Sequence, residues 1–168
     1  MSLYGPIFNA LNDAKVQYVV VGGLATVLHG HIRMTSDIDM IIDLNKTEAE
    51  KALKVIEELG FRPRLPVPAI HFADEQTRRD WIENKGMEVF SFHNEKNPLL
   101  SLDVFVHHPI PFEELMARAV QADVEDTKIN ICSIDDLISL KKIAGRPLDL
   151  DDIENLELIK QRNAKQQQ

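Results

Sequence analysis

The stretch VVVGGLATVLHGHIRMTSDIDMIID (residues 19–43) predicts two β-strands joined by a short helix. The first strand is a continuous β-branched run that stops at Gly22 and Gly23, as is typical of a buried strand. The second, DIDMIID, alternates with period 2, so Asp37 and Asp39 share one face while methionine and isoleucine occupy the other. These carboxylates need an explanation, because an ionised group is costly to bury without a partner.

A bound cation would explain the paired carboxylates. Asp37 and Asp39 lie two residues apart on one strand face, so their Cα atoms are roughly 6.5 Å apart. Two carboxylates that close raise each other's pKa unless a cation holds both ionised. Divalent ions held in this way are the basis of two-metal phosphoryl and nucleotidyl transfer. The predicted ion is Mg²⁺, with Mn²⁺ as the alternative, although D-x-D alone is weak evidence because an exposed strand face also produces it.

Three further features favour a phosphate-handling metal site. Gly22 and Gly23 end a strand just before a helix, where bare backbone N–H groups can approach an anion. The turn is neither a Walker loop nor a dinucleotide fingerprint, since it lacks both G-K-[S/T] and a third glycine. Asp103, inside the apolar strand SLDVFV, is a candidate third metal ligand or general base. The basic residues that are candidates to reach triphosphate oxygens are Arg33, Lys141 and Arg146.

Composition limits the class of protein. The chain has 168 residues, of which 44% are hydrophobic, enough for one compact domain with a real core. No apolar run is long enough for a membrane span, and the N-terminus lacks a secretory signal, so we expect a soluble, cytoplasmic protein with no membrane partner. The net charge of −8 argues against broad nucleic-acid binding. The single cysteine, Cys132, excludes a zinc ribbon and is expected to pack as a small hydrophobe.

Helix and strand patterns alternate along the chain and predict an α+β fold, an α/β sandwich with a mixed sheet flanked by helices. We expect a core over residues 1–132, a C-terminal helical segment over 133–162 packed on it, and a disordered tail over 163–168. The proline-rich FRPRLPVPAIHF is expected to be a surface loop, since its prolines oppose a helix or a central strand. A strand pair is expected to turn at Asp126 and Thr127.

The Gly-Gly turn, the D-x-D about a dozen residues later and the third Asp in a later strand resemble the nucleotidyltransferase superfamily that includes DNA polymerase β. More narrowly, GGLATVLHGHIRMTSDIDMII together with DLISLKKIAGRPLDLDDIENL resembles small bacterial nucleotidyltransferases of the type-IV toxin (AbiEii-like) group. By this resemblance, Gly22 and Gly23 would hold the nucleotide's phosphates, Asp37 and Asp39 would bind the metals, and Asp103 would be the third ligand or general base.

The closing motif adds two residues to this resemblance. Lys141 is similar to the family's nucleotide-contacting lysine, and Asp152 is similar to an acidic position of the last motif. The chain departs from the pattern at Gly23, because many superfamily members have Gly-Ser where it has Gly-Gly. A hydroxyl contact to phosphate is therefore absent at this position.

The sequence thus predicts an enzyme that moves a nucleoside monophosphate from a nucleoside triphosphate, such as ATP, to an acceptor, with release of pyrophosphate. The acceptor remains open among tRNA, a protein side chain and a small molecule, and the resemblance implies a possible antitoxin partner. One alternative is a non-catalytic nucleotide-binding or toxin–antitoxin module of the same fold. A D-x-D glycosyltransferase is a further alternative, disfavoured because only 36 residues precede Asp37.

Overall fold

A seven-stranded mixed sheet forms the centre of the computed structural model, which describes residues 3–167. The strand order is β3-β4-β5-β2-β1-β7-β6, with antiparallel pairs except for β1 with β7 and β2 with β5, which are parallel. The strands are β1 (Tyr18–Val21), β2 (Asp37–Ile42), β3 (Phe61–Pro63), β4 (Val89–Asn94), β5 (Ser101–Phe105), β6 (Val120–Val124) and β7 (Thr127–Ile131). The predicted mixed sheet is confirmed.

Helices flank this sheet and close the chain. They are α1 (Gly5–Asp13), α2 (Gly22–Leu28), α3 (Lys46–Glu58), α4 (Glu75–Lys85), α5 (Phe112–Arg118), α6 (Ile134–Ala144) and α7 (Pro147–Gln166), with a 3₁₀ turn at Ala69–Ala73. Helix α2 contacts β1, β2 and α6, and α6 packs on α7. The two C-terminal helices therefore reach the region of the sheet that carries the predicted aspartates. Among the helices of residues 3–167, none is long and apolar enough to cross a membrane.

The register of the central strands places the carboxylates side by side. Strand β2 lies between β1 and β5, and Asp39 is opposite Val21 on one side and Asp103 on the other. Since β2 and β5 are parallel and in register, Asp37 is opposite Ser101 in the same way. Asp39 and Asp103 therefore meet on adjoining strands although they are distant in sequence.

Local capping explains where the helices that frame this region begin and end. The side chain of Asn45 accepts a hydrogen bond from the N–H of Thr47 (3.1 Å) at the start of α3, and Ser133 accepts one from Asp136 (3.1 Å) at the start of α6. Gly145 ends α6 with φ +62°, a left-handed conformation that favours glycine. The chain then turns sharply into α7.

Several boundaries differ from the sequence-based expectation. Within the segment expected to be a loop, residues 61–63 form an edge strand on β4, which tolerates Pro63 at its end, and the 3₁₀ turn follows. The hairpin turns at Glu125 and Asp126, one residue earlier than predicted, because Glu125 adopts φ +55°. Helix α7 continues to Gln166, past the expected end at residue 162, and Gln168 lies outside the described residues.

The predicted core residues are buried. Trp81 stacks on Phe90 with ring centroids 4.9 Å apart, and Phe92 packs edge-on against Phe90 at 5.1 Å. Cys132 is fully buried as a free thiol. These aromatic side chains stabilise the half of the sheet that carries β4 and β5, and none of them lines the cleft described below.

Candidate active site

A cleft of about 360 Å³, which we call the main cleft, lies where β1, β2 and β5 meet the C-terminal helices. It is lined by every residue to which the sequence assigned a site role, from three distant parts of the chain. These residues are Gly22, Gly23, Arg33, Asp37, Asp39, Asp103 and Lys141. Arg146, also a candidate phosphate ligand, lines the same cleft.

Asp39 and Asp103 carry the strongest electrostatic conflict in the main cleft. The pKa of Asp39 is raised to about 6, first by burial and then by the neighbouring carboxylates of Asp103 and Asp37. A hydrogen bond from the backbone of Gly23 and the charge of Arg146 oppose this shift only in part. Since an opposite charge close by would return the carboxylate to its ionised form, this position suits a cation.

Asp37 is more exposed than Asp39 and is held by hydroxyl groups. The hydroxyl of Ser101, its partner on β5, donates a short hydrogen bond to Asp37 Oδ1. Ser36 Oγ donates to the same oxygen at 3.1 Å. These donors fix the carboxylate at the mouth of the cleft without neutralising its charge, so it can still serve as a ligand.

Gly22 is required by the approach of a carboxylate. Its φ is +65°, and a Cβ at this position would lie 2.2 Å from Asp39 Oδ2. Any side chain at Gly22 would therefore displace the central aspartate. Gly22 thus makes room for Asp39, and its predicted contact with the nucleotide's phosphates stays a prediction.

The space beside Gly23 is already occupied by a hydroxyl. A Cβ at Gly23 would lie 2.6 Å from Thr35 Oγ1 and 2.8 Å from a terminal guanidinium nitrogen of Arg33. Thr35 also lines the main cleft. The hydroxyl of Thr35 thus lies close to where the serine side chain of a Gly-Ser turn would be. The sequence did not predict this role for Thr35.

Asp152 is the charged centre of the corner between α6 and α7. It is fully buried, and its carboxylate accepts a hydrogen bond from Lys141 Nζ at 2.6 Å and from Arg33 at 3.1 Å. Asp149, 2% exposed, lies 3.7 Å from the same Lys141 ammonium and is paired with Arg146 at 2.8 Å. The three basic residues of the main cleft are therefore all held in place by carboxylates of α7.

A second group of potential metal ligands lies behind this corner. Within residues 3–167, ligand atoms of His31, Asp151 and Asp152 lie within 4.8 Å of one another. Asp152 is already neutralised by Lys141 and Arg33, so a divalent cation there would meet two positive charges at short range. This group does not fit a divalent metal ion.

The carboxylates of the main cleft fit such an ion better. Asp37, Asp39 and Asp103 offer hard oxygen ligands, and burial together with the neighbouring carboxylates of Asp103 and Asp37 raises the pKa of Asp39. Oxygen ligands of this kind are those that Mg²⁺ prefers. His29, by contrast, turns away to the carbonyl of Cys132 at 2.8 Å and is not a ligand candidate.

Comparison with known families decides the class of this protein. Residues 8–166 match the family described as nucleotidyltransferase of unknown function (DUF6036). The chain belongs to this nucleotidyltransferase family. The match covers nearly all of the protein, from α1 to the end of α7. It confirms the general resemblance in the sequence, whereas membership of the AbiEii-like toxin group is not confirmed by it. No curated protein matches the nucleotidyltransferase significantly.

Solved structures with the same fold are remote in sequence. The lincosamide antibiotic adenylyltransferase LnuA, bound to lincomycin, is 17% identical with a TM-score of 0.60, over 94% of this chain and 98% of that chain. ANT(2")-Ia in complex with adenylyl-2"-tobramycin is 12% identical with a TM-score of 0.57, over 97% and 95%. The nucleotidyltransferase TM1012 of Thermotoga maritima, described as putative, is 15% identical with a TM-score of 0.51, over 95% and 89%. These similarities confirm the fold of the nucleotidyltransferase.

Proposed function

We propose that this nucleotidyltransferase transfers a nucleoside monophosphate from a Mg²⁺-bound nucleoside triphosphate to a hydroxyl group of a small molecule, with release of pyrophosphate. The observation that carries the proposal is the in-register pairing of Asp39 with Asp103 across β2 and β5, inside a cleft that also contains Arg33 and Lys141. Carboxylates for a metal and cations for phosphates thus line one cavity.

In this proposal, Asp37, Asp39 and Asp103 hold the divalent cations. The bound metal ions neutralise charge on the triphosphate and on the oxygens at which negative charge develops during transfer. Mn²⁺ is the alternative ion, because it accepts the same oxygen ligands. The raised pKa of Asp39 supports this assignment, since a carboxylate under repulsion gains most from a cation.

The cations of the cleft orient the triphosphate. Lys141 is 4% exposed and pairs with Asp152, yet an ammonium group has three N–H donors, so donors remain for a phosphate oxygen. Arg33 provides a guanidinium beside Gly23, and the hydroxyl of Thr35 lies at the same point. These groups bind and align the nucleotide, which is where most of the rate acceleration of such reactions arises.

The chemical step follows from this alignment. The oxygen of the acceptor hydroxyl attacks the α-phosphorus and forms a new P–O bond. The bond between that phosphorus and the α–β bridging oxygen breaks, and pyrophosphate leaves with the electron pair. Asp103 is the carboxylate placed to accept the hydroxyl proton, unless it acts as a metal ligand alone.

A small molecule is the acceptor that we favour. One protein of the same fold is an antibiotic adenylyltransferase bound to lincomycin, and a second forms a complex with adenylyl-2"-tobramycin; both ligands are small molecules. The net charge of −8 disfavours a tRNA acceptor, because nucleic-acid affinity depends on phosphate neutralisation. A protein acceptor or an antitoxin partner has no support from these relatives.

The test is label transfer. The protein is incubated with Mg²⁺ and each of the four α-labelled ribonucleoside triphosphates, with small-molecule, total-tRNA and protein fractions of a lysate as acceptors. We expect pyrophosphate release and label in the small-molecule fraction, and loss of both by at least about 10²-fold in Asp103→Asn, as is usual when a catalytic general base is removed. The matched control is Asp123→Asn, an exposed aspartate of β6 outside the cleft.

Each outcome separates this proposal from its alternatives. A wild-type protein that binds a triphosphate but never releases pyrophosphate with any fraction would be a non-catalytic nucleotide-binding module. Transfer of a sugar from a nucleotide sugar, with Asp39 required, would indicate the glycosyltransferase. Unchanged activity in Asp103→Asn would mean that the carboxylates of the main cleft are not the catalytic site.

A further inference from the structure

A second cavity adjoins the main cleft at Asp39 and Asp103. This side lobe, of about 410 Å³, also shares Phe105 and Arg146 with the main cleft and extends beyond it to Glu88, Pro109 and Ile143. Arg33 and Lys141, two of the cations that would hold the triphosphate, line the main cleft and not this lobe, whereas Arg146 lines both cavities. The side lobe therefore gives an acceptor access to Asp103 without contact with Arg33 or Lys141.

The walls of the side lobe are apolar and partly exposed. Val89 and Phe105 face each other as Cα partners on β4 and β5, and Pro109 and Ile143 line the lobe with them. Ile143 is 66% exposed although it is a large hydrophobic side chain. Apolar surface of this kind gains free energy when a ligand covers it.

The charge of the side lobe is negative. Its carboxylates are Asp39, Asp103 and Glu88, and the single cation among its lining residues, Arg146, is already paired with Asp149 at 2.8 Å. In the proposed reaction the metal ions offset Asp39 and Asp103. Glu88 adds a carboxylate at the outer end of the lobe, where its side chain is 72% exposed and has His107 as its partner.

Glu88 is held at that position by the neighbouring strand. His107 Nε2 lies 2.7 Å from Glu88 Oε2, and the imidazole ring of His107 packs edge-on against Phe105 at 6.4 Å. The backbone N–H of Val106 also donates to the carbonyl of Glu88 at 3.1 Å. The carboxylate is thus oriented before any ligand binds, which lowers the entropic cost of binding.

We propose that the side lobe binds an amino-hydroxyl small molecule, with a protonated amine at Glu88, an apolar face against Phe105 and Ile143, and the reacting hydroxyl at Asp103. The inference rests on the proposed nucleotidyl transfer and names the chemical class of its acceptor. Glu88 would be a specificity-determining residue, and His107 a positioning residue that acts through Glu88. A nucleic-acid end fits poorly, because its phosphates would approach the carboxylate of Glu88.

The experiment compares amines with neutral counterparts of the same shape. The full chain, with Mg²⁺ and a non-hydrolysable α,β-methylene ATP, is mixed with a set of amino sugars and aminoglycosides, each paired with its N-acetylated form, and binding is measured by saturation-transfer NMR. We expect the amines to bind at least about tenfold more tightly than the acetylated forms, because a charged amine forms a stronger hydrogen bond with the carboxylate of Glu88 than a neutral amide does.

Variants test whether Glu88 is the source of this preference. Glu88→Gln should reduce the preference for amines to within about twofold while leaving affinity for the acetylated forms unchanged, since it removes the charge and keeps the shape. His107→Ala should have an intermediate effect. Glu58→Gln is the matched control, because Glu58 is an exposed, ion-paired glutamate on α3 outside both cavities, and it should behave as wild type.

The inference is overturned if amines and acetylated forms bind equally, if no member of the set binds, if Glu88→Gln keeps the full preference, or if labelled tRNA is the acceptor. Triphosphate binding is measured separately by calorimetry with Mg²⁺. If the wild-type protein binds a triphosphate but shows no preference for amines, this inference is wrong and the proposed function is unaffected. Amine binding at Glu88 without binding of any triphosphate defeats the proposed function and leaves the amine site standing.

Discussion

The ionised carboxylate of Asp39 lowers the stability of the metal-free protein, and in the proposed function the same carboxylate binds a metal ion. Its pKa is raised to about 6 by burial and by Asp103 and Asp37, so the folded protein without metal disfavours the ionised carboxylate. The penalty is fully present above the folded pKa and disappears below the ordinary value of 3.8. A group that destabilises its own fold in this way is typical of a functional site.

Asp39→Asn should therefore stabilise the metal-free protein. At pH 7.5 in EDTA we expect the free energy of unfolding to rise by on the order of 2 kcal/mol, because the neutral amide avoids the repulsion. The gain should shrink as the pH falls from 6 towards 4, where wild-type Asp39 becomes protonated. Urea denaturation across this pH range is the measurement. In excess Mg²⁺ the order should reverse, and a variant that is less stable than wild type in EDTA would contradict the assignment.

Gly23 and Thr35 should behave as a coupled pair. Gly23→Ser alone places a Cβ 2.6 Å from Thr35 Oγ1, and we expect it to cost about 1–3 kcal/mol of stability, as overpacking usually does. Adding Thr35→Ala removes that hydroxyl and should recover most of the loss, after Arg33 shifts its flexible end. A double-mutant cycle by thermal denaturation measures the coupling, and additive effects would show that the two residues do not share this space.

The sequence singled out the carboxylates that line the main cleft, but not the residues that surround them. Asp37, Asp39 and Asp103 could be identified because a carboxylate inside an apolar strand is visible as a break in a pattern. Thr35 and Glu88 could not, since Thr35 lies in a loop and Glu88 directly before a strand, and no pattern marks either residue until the fold brings it to a cavity. The steric reason for Gly22 was equally hidden, because it depends on a contact with another strand.

The corner between α6 and α7 is the element that fixes the basic side of the cleft. Asp152 joins Lys141 of α6 and Arg33 of the loop before β2 to α7. Because these are buried charges, the corner depends on their mutual compensation more than on apolar packing alone. From the sequence, only the resemblance to the nucleotidyltransferases distinguished Asp152 from its neighbours, because several aspartates are close together at the start of α7.

Asp152→Asn should disrupt this corner. It leaves Lys141 and Arg33 without their shared counter-charge, so we expect a loss of about 3–5 kcal/mol in the free energy of unfolding. Asp151→Asn is the adjacent control, because that side chain is 63% exposed, and it should change stability by less than about 0.5 kcal/mol. Chemical denaturation of both variants makes the comparison; equal losses would show that the His31–Asp151–Asp152 group matters as a unit.

The sequence predicted which helices and strands form more reliably than it predicted where they begin and end. The sequence patterns predicted β1, the short helix α2, β2 and β5, because runs of apolar residues and period-2 alternation mark them. The short edge strand at residues 61–63 was missed, since a three-residue strand beside prolines has no periodicity to detect. The final helix continues to Gln166 through residues that carry no apolar pattern, so the sequence pattern could not predict where this helix ends.

Across the molecule, the site draws on three separated parts of the chain: the β1–β2 region, β5, and the α6–α7 corner. A ligand that contacts all three should stabilise the entire fold. We expect Mg²⁺ and a non-hydrolysable triphosphate at about 100 times Kd to raise Tm by roughly 5–10 °C, as linkage predicts for a domain of this size. Differential scanning fluorimetry measures the shift, Asp103→Asn should lose most of it, and a shift without Mg²⁺ would argue against metal-dependent binding.

The parallel pairing of β2 with β5 has one more consequence, and it concerns the order in which activity arises. Ser101 and Asp37, which form one rung of that pairing, are 64 residues apart in the chain. Contacts between such distant residues close late in folding, because the intervening chain must first lose its conformational freedom. A newly made or partly unfolded copy therefore lacks the assembled carboxylates of β2 and β5. If the proposed metal site is correct, a chain that binds the metal has completed this late step of folding.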